Sequence, residues 1–179
     1  MTLFVYVDNS NLWIEGRRVS AVNKGMATSL QDAMNRGVTD QTWNYDFGKL
    51  YRAICPENET IGRSSLFGSR PPTNDSLWQL ARDQGFEVFT FDRNLANKEK
   101  QVDVAIATQI MADSYERMKA GDRIVLVTGD RDYLPTIESV MARGFPVIVA
   151  FWRHATGHEL QREPVDFFAL DPLFGYLTK

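Results

Sequence analysis

The hydrophobic residues of this sequence fall in short runs separated by longer amphipathic stretches. Three apolar, β-branched runs predict buried strands, a more alternating run is a fourth candidate, and a short run is a fifth. In chain order these runs cover residues 4–7, 65–68, 87–91, 124–128 and 146–150. An amphipathic piece through Val165, Phe167 and Phe168 is expected to close the sheet edge.

The stretches between the strands carry helical periodicity. Four helices are predicted, over residues 46–54, 75–84, 103–119 and 133–143. Gly85 and Gly144 follow two of them and are placed to take the left-handed position at a helix end. Alternating strands and helices predict an α/β fold, a mostly parallel sheet with helices on both faces.

Residues 16–45 show weak periodicity, mixed charge and several turn formers. We interpret this segment as a long connection or a small helical insertion. The whole chain, 179 residues, suits a single domain spanning 1–179.

Composition narrows the class of protein. Residues 3–7 read as a buried strand, not a signal peptide, and no apolar run is long enough to span a bilayer. Cys55 is the single cysteine, so the chain forms no internal disulfide and a reducing, cytoplasmic location is expected. A net charge of −3 argues against coating nucleic acid by charge alone. Any nucleic-acid contact is expected to be local or bridged by metal.

Three separate segments supply acids where a parallel sheet would gather them. Asp8 ends the first strand, Asp130 and Asp132 follow the strand at 124–128, and Asp103 opens a long helix. Ligands of open α/β sheets bind beyond the carboxyl ends of the strands. Taken singly, Asp103 or Asp132 would be interpreted as a helix cap. Capping does not require two apolar strands to end on acids, so together they favour a site.

Oxygen ligands of this kind suit Mg²⁺ or Mn²⁺ better than zinc. A divalent cation can polarise a phosphoryl group and activate water, which favours phosphodiester hydrolysis. Lys98 and Lys100 could contact a phosphate, although a short charged stretch before a helix is usually solvated. Trp13 lies beside the predicted site and could stack on a base.

Five segments, taken in chain order, resemble conserved patterns of the NYN domain family, in particular of its LabA-like (DUF88) branch within the PIN-like nucleases. The segments are similar to the family patterns Asp-x-x-Asn, Lys-x-Val-Asp-Val, Ser-Gly-Asp-x-Asp-Phe-x-Pro, Gly-x-x-Val and a closing Leu-x-x-x-Ala-Asp-x-Phe. They cover residues 5–11, 100–104, 127–135, 144–147 and 160–168. The resemblance spans nearly the whole chain.

This resemblance implies a Rossmann-like, PIN-like fold, Mg²⁺ or Mn²⁺ dependence and RNA as substrate. Carried over residue by residue, it nominates Asp8, Asp103, Asp130 and Asp132 as catalytic, the first three also as metal ligands. It adds Asn11 and Thr128 as positioning residues, beside Lys100. Arg131 replaces a frequent Gly and would either narrow the pocket or contact a phosphate.

The leading hypothesis is therefore a metal-dependent ribonuclease. No membrane partner is expected, and a homodimer is left open. The first alternative is a catalytically weak or inactive NYN module that binds RNA or a regulatory partner. A phosphohydrolase with Asp8 as nucleophile is third, because Ser10 stands where its second Asp would be. A phosphate-binding nucleotide fold is weaker still, since no Gly-rich phosphate loop follows any strand.

Overall fold

Six parallel strands form the centre of the fold in the computed structural model, which describes residues 1–70, 75–92 and 98–179. The strands are β1 (Thr2–Asp8), β2 (Thr60–Arg70), β3 (Glu87–Asp92), β4 (Arg123–Val127), β5 (Val147–Phe151) and β6 (Asp166–Ala169). Their order is β3-β2-β1-β4-β5-β6, and each neighbouring pair is parallel. The chain moves outward from β1 to β3 and then returns to β4, so the order reverses between β1 and β4.

Helices cover both faces of this sheet. They are α1 (Asn9–Asn23), α2 (Leu30–Arg36), α3 (Phe47–Ile54), α4 (Ser76–Asp83), α5 (Lys98–Glu116), α6 (Leu134–Ala142) and α7 (Phe174–Leu177). Successive side chains of a strand point to opposite faces. Val5 and Val7 accordingly pack in one core with α1, α3 and α4, while Phe4 and Tyr6 pack in a second core with α5 and α6. The predicted three-layer α/β fold is confirmed.

All five predicted strands are present, and β6 pairs with β5 at the sheet edge as expected. The strand β2 runs to 11 residues, far beyond the four in the prediction. Its first half contains Gly62 and the charged Arg63, so it lacks an apolar signature. Arg63 is nonetheless largely buried, because it pairs with the buried Asp113 of α5.

The helix predictions hold with shifted ends. The helix α5 begins at Lys98, five residues before the predicted start at 103, and the predicted helix at 133–143 is preceded by a 3₁₀ turn at Arg131–Tyr133. Gly85 and Gly144 have φ of 106° and 89°, which confirms their left-handed conformation. Within the described chain, every helix is too short or too polar to cross a bilayer.

The segment predicted as a connection or helical insertion begins inside α1 and includes α2. Position 16 of α1 requires a glycine, because a Cβ there would stand 2.3 Å from the Trp43 ring. The buried Asp40 holds the segment to α1, accepting a hydrogen bond from Ser20 at 2.6 Å and pairing with Lys24 at 2.7 Å. Where the insertion begins and ends stays a prediction.

Candidate functional site

A cavity of about 490 Å³ opens at the carboxyl ends of β1 and β4. This is where the strand order reverses, the usual ligand position in open α/β sheets. Three acids from three segments line the cavity: Asp8 at the end of β1, Asp130 after β4, and Asp103 in the first turns of α5. The other lining residues are Ser10, Asn11, Trp13, Ile14, Glu15, Arg18, Ser69 and Val102.

Asp8 is the most deeply placed of the three acids, with only 4% of its surface exposed. It caps α1, and its carboxylate accepts the N–H of Asn11 at 3.0 Å. Burial raises the pKa of Asp8 to about 7, against the lowering effect of the backbone N–H groups of Asn11 and Ser10. The negative charges of Asp103 and Asp130 raise it further. The three carboxylates therefore act on one another through the cavity.

Asp103 is held in place by Tyr133, a residue of the 3₁₀ turn that follows β4. The Tyr133 hydroxyl donates to the Asp103 carboxylate at 3.0 Å, and the tyrosine is fully buried. Burial, followed by the charges of Asp8 and Asp103, raises the pKa of Tyr133, so it remains a neutral hydrogen-bond donor. Sequence reasoning missed this role, because a Tyr in an amphipathic helix pattern reads as a core residue.

The loop after β4 aims Asp130 at the cavity. Thr128 is fully buried, and its hydroxyl accepts the N–H of Asp130 at 3.3 Å. Asp130 in turn caps the 3₁₀ turn by accepting the N–H of Asp132 at 2.9 Å. Thr128 thus positions Asp130 through the backbone. The Asp132 side chain is exposed and does not line the cavity.

Of the remaining predicted positioning residues, one lines the cavity, one does not, and the side chain of the third lies outside the described residues. Asn11 lines the cavity and supplies the N–H that Asp8 accepts. Arg131 is exposed, does not line the cavity, and approaches Glu159 at 3.6 Å. Lys100 lies in the first turn of α5, but its side chain lies outside the described residues.

One cluster that was not predicted joins two residues of the cavity wall, Glu15 and Arg18, to His154 behind them. Glu15 forms an ion pair with Arg18 one turn later in α1, and His154 contacts the other Glu15 oxygen at 3.0 Å. The Nε of Arg18 and the Nδ1 of His154 are buried without a hydrogen-bond partner in the described part of the chain. Burial acts to raise the pKa of Glu15, but His154 and Arg18 together outweigh it and keep this pKa below its ordinary value. The cluster places a guanidinium beside the three acids.

The donor chemistry of the cavity suits a hard divalent cation. Its acids offer carboxylate oxygens, and neither His nor Cys is among its described lining residues. Across residues 1–70, 75–92 and 98–179, no three His, Cys, Asp or Glu side chains already stand at metal-ligand spacing. Mg²⁺ also keeps several waters and uses one or two carboxylates directly, so wider spacing still fits it.

Comparison with known proteins agrees with this architecture. The crystal structure of a protein of unknown function from Vibrio parahaemolyticus superposes with a TM-score of 0.66 at 17% identity. The match covers 94% of this chain and 91% of that chain, which shows a shared fold. No curated protein matches the sequence. The family description of the NYN domain matches residues 5–171, nearly the whole chain. The chain therefore belongs to the NYN domain family, whose members are generally nucleases.

Proposed function

We propose that this protein is a metal-dependent ribonuclease that hydrolyses RNA phosphodiester bonds in the acidic cavity. The observation that carries the proposal is the convergence of Asp8, Asp103 and Asp130 on one cavity at the point where the strand order reverses. Membership of a family of nucleases supports the same reaction class.

The charges in the cavity explain why a cation is needed. The described lining residues offer four carboxylates, those of Asp8, Asp103, Asp130 and Glu15. Arg18 is the only basic residue among them. A phosphate would be repelled from such a cavity unless a divalent cation offset the acids. Asp8, Asp103 and Asp130 would hold the Mg²⁺ or Mn²⁺ ion.

The ion, when bound, supplies Lewis-acid polarisation of the phosphoryl group and lowers the pKa of a bound water. The protein's own residues keep the acids in place. The N–H of Asn11 fixes Asp8, and the Tyr133 hydroxyl fixes Asp103. Arg18 is anchored by Glu15 on the cavity wall, where its guanidinium can contact a non-bridging phosphate oxygen.

A cleavage assay tests the proposal. Purified protein is incubated with a labelled, mixed-sequence single-stranded RNA in Mn²⁺, in excess EDTA, and in Mn²⁺ after the substitution Asp8→Asn. The matched control is Asp166→Asn, which makes the same change at an exposed position on β6. We expect cleavage by the wild type and the control, and a loss of about a hundredfold or more in Asp8→Asn and in EDTA. Equal cleavage by Asp8→Asn and Asp166→Asn would reject the proposed site.

One observation favours a second candidate function, that of an RNA-binding module without turnover. Arg131 stands where the family frequently has Gly, and its exposed side chain could contact a phosphate without taking part in turnover. An RNA-binding module would bind the same RNA in a filter or anisotropy assay and leave it intact in Mn²⁺. Cleavage that EDTA abolishes would exclude this reading.

A further inference from the structure

A second cavity, of about 460 Å³, lies next to the acidic one. The two cavities share Ser10, Trp13 and Ser69, so Trp13 stands between them. No acid of the proposed metal site lines the second cavity. Its size, and its mixture of apolar walls with polar groups that include the charged Asp46 and Lys179, are typical of small-ligand sites.

Aromatic rings and leucines make up much of the wall of this second cavity. Trp78 is buried and packs so tightly on Gly68 that a Cβ there would stand 2.4 Å from its ring. Leu77 and Leu80 of α4 also line the cavity, yet they are 43% and 47% exposed. The remaining aromatic lining residues are Trp13, Tyr45 and Phe47. Exposed apolar side chains beside fixed rings provide a surface on which a planar ligand would be stabilised.

The ring of Trp13 is fixed in place before any ligand arrives. Its indole N–H donates to the Asn44 side chain at 3.1 Å, and the Arg17 guanidinium lies 3.5 Å from the ring centroid. Arg17 is itself held by the side chain and the carbonyl of Gln41, at 2.8 and 2.9 Å. A ring immobilised in this way loses little further freedom on binding.

Amide groups supply polar contacts at the edge of the cavity. Asn9 is only 7% exposed, and its carbonyl oxygen accepts the Tyr45 hydroxyl. No residue in the described part of the chain accepts a hydrogen bond from its amide nitrogen. Gln84 lines the same cavity with a second amide. Side-chain amides of this kind pair with the hydrogen-bonding edges of unstacked bases.

We propose that this second cavity binds one nucleobase of the RNA strand whose phosphate occupies the acidic cavity. The inference rests on the proposed function and adds a base-binding subsite to it. A base offers a flat apolar face to the rings and hydrogen-bonding edges to Asn9 and Gln84. The shared wall at Trp13 joins this base site to the phosphate position. A single-stranded segment is required, because a paired base cannot enter the cavity.

The test uses free nucleosides, which carry no phosphate and need no metal. Tryptophan fluorescence of the full chain is titrated with adenosine, guanosine, cytidine and uridine in EDTA, with ribose as control. The variants are Leu80→Ser, which removes apolar wall, and Met34→Ser, which makes a comparable change at a half-exposed position on α2. Trp13→Phe keeps an aromatic ring but removes the indole N–H, and Trp13→Ala removes both, so the two variants distinguish the contribution of the ring from that of its hydrogen bond.

We expect saturable quenching by at least one nucleoside and none by ribose. Leu80→Ser should weaken that binding about fivefold while Met34→Ser leaves it unchanged. Trp13→Ala should weaken nucleoside binding about tenfold, and Trp13→Phe should retain most of the wild-type affinity. Absence of quenching by all four nucleosides, or equal binding by Leu80→Ser and wild type, would overturn the inference. A protein that binds nucleosides but never cleaves RNA would keep the base site and lose the proposed function.

Discussion

Asp113 and Asp8 are both buried, with 1% and 4% of their surface exposed, but their neighbours differ in kind. Asp113 accepts the Arg63 guanidinium on both oxygens at 2.8 Å and the Tyr6 hydroxyl at 2.7 Å. Asp8 accepts backbone N–H groups and faces two further carboxylates, and no Lys or Arg of the described residues forms an ion pair with it.

The contrast separates a structural acid from a functional one. Asp113, Arg63 and Tyr6 join α5 to β2 and β1, and removing one partner of such a buried, hydrogen-bonded ion pair destabilises the fold because it leaves the other charge unpaired. A buried carboxylate left facing other acids destabilises the fold, and such groups are concentrated at functional sites. Removing each charge should therefore change stability in opposite directions.

The largest stability effect is expected at the paired acid. Asp113→Ala leaves Arg63 and the Tyr6 hydroxyl buried without their partner, which should lower the free energy of unfolding by about 3–5 kcal/mol. Urea denaturation followed by circular dichroism measures this. Tyr6→Phe, which removes one hydrogen bond from the same cluster, should lower it by about 1.5–3 kcal/mol. Equal stability of Asp113→Ala and wild type would show that the cluster is not structural.

The next effect has the opposite sign and depends on pH. The folded pKa of Asp8 is about 7, above its ordinary value of 3.8, so the unfolded chain releases this proton first as pH rises. Metal-free wild type should thus lose stability between about pH 4 and pH 7, relative to Asp8→Asn. Asn can still cap α1, so above pH 7 the variant should be more stable by about 2–4 kcal/mol.

Thermal melts of both proteins in EDTA, at pH 4, 5, 6, 7 and 8, measure this difference. Comparing the two proteins at each pH cancels the titration of the other acids that they share. A difference that stays constant from pH 4 to pH 8 would show that Asp8 has an ordinary pKa in the fold.

A smaller effect is expected for the guanidinium that faces the acids. Among the described residues that line the acidic cavity, Arg18 is the basic one. Arg18→Ala should therefore weaken RNA binding about three- to tenfold. The control is Arg36→Ala, which removes an exposed arginine of α2 that pairs with Asp32. Fluorescence anisotropy with the same labelled RNA in Ca²⁺ measures both. If the two variants lose affinity equally, Arg18 contributes only general charge.

The smallest effect is expected at Asp132. Sequence reasoning grouped it with the catalytic acids, but its side chain is exposed and does not line the cavity, while its backbone N–H holds Asp130. Asp132→Asn keeps that N–H, so cleavage should fall less than about tenfold, far less than for Asp8→Asn. Matching losses in the two variants, measured as initial rates in Mn²⁺, would place Asp132 in the site.

Most of the sheet could be predicted because β1, β4 and β5 are short apolar runs that end at a turn former or an acid, whereas β2 was predicted only over its apolar part. The strand-end pattern nominated Asp8 and Asp130, since parallel strands gather their carboxyl ends at one edge, and the start of a long helix nominated Asp103. Their role as metal ligands stays a prediction. The helix α1, over Asn9–Asn23, was not predicted. Its buried residues include Asn9, Gly16 and Ser20, which give no hydrophobic stripe.

Contacts between distant segments leave no local signal in a sequence. Glu15 and His154 meet across 139 positions, so neither neighbourhood indicated the cluster that anchors Arg18. Tyr133 has the spacing of a core residue and is one, and only its hydroxyl partner reveals its link to Asp103. Membership of the LabA-like branch stays a prediction within the NYN family.

Titration calorimetry of Mn²⁺ binding at pH 7.5 tests most directly whether the acids of the cavity form a metal site. Wild type, Asp8→Asn and the matched control Asp166→Asn are compared after circular dichroism shows that all three are folded. We expect wild type and Asp166→Asn to bind Mn²⁺ with equal affinity and Asp8→Asn to bind it at least about tenfold more weakly. Equal affinity in Asp8→Asn and wild type would contradict the account.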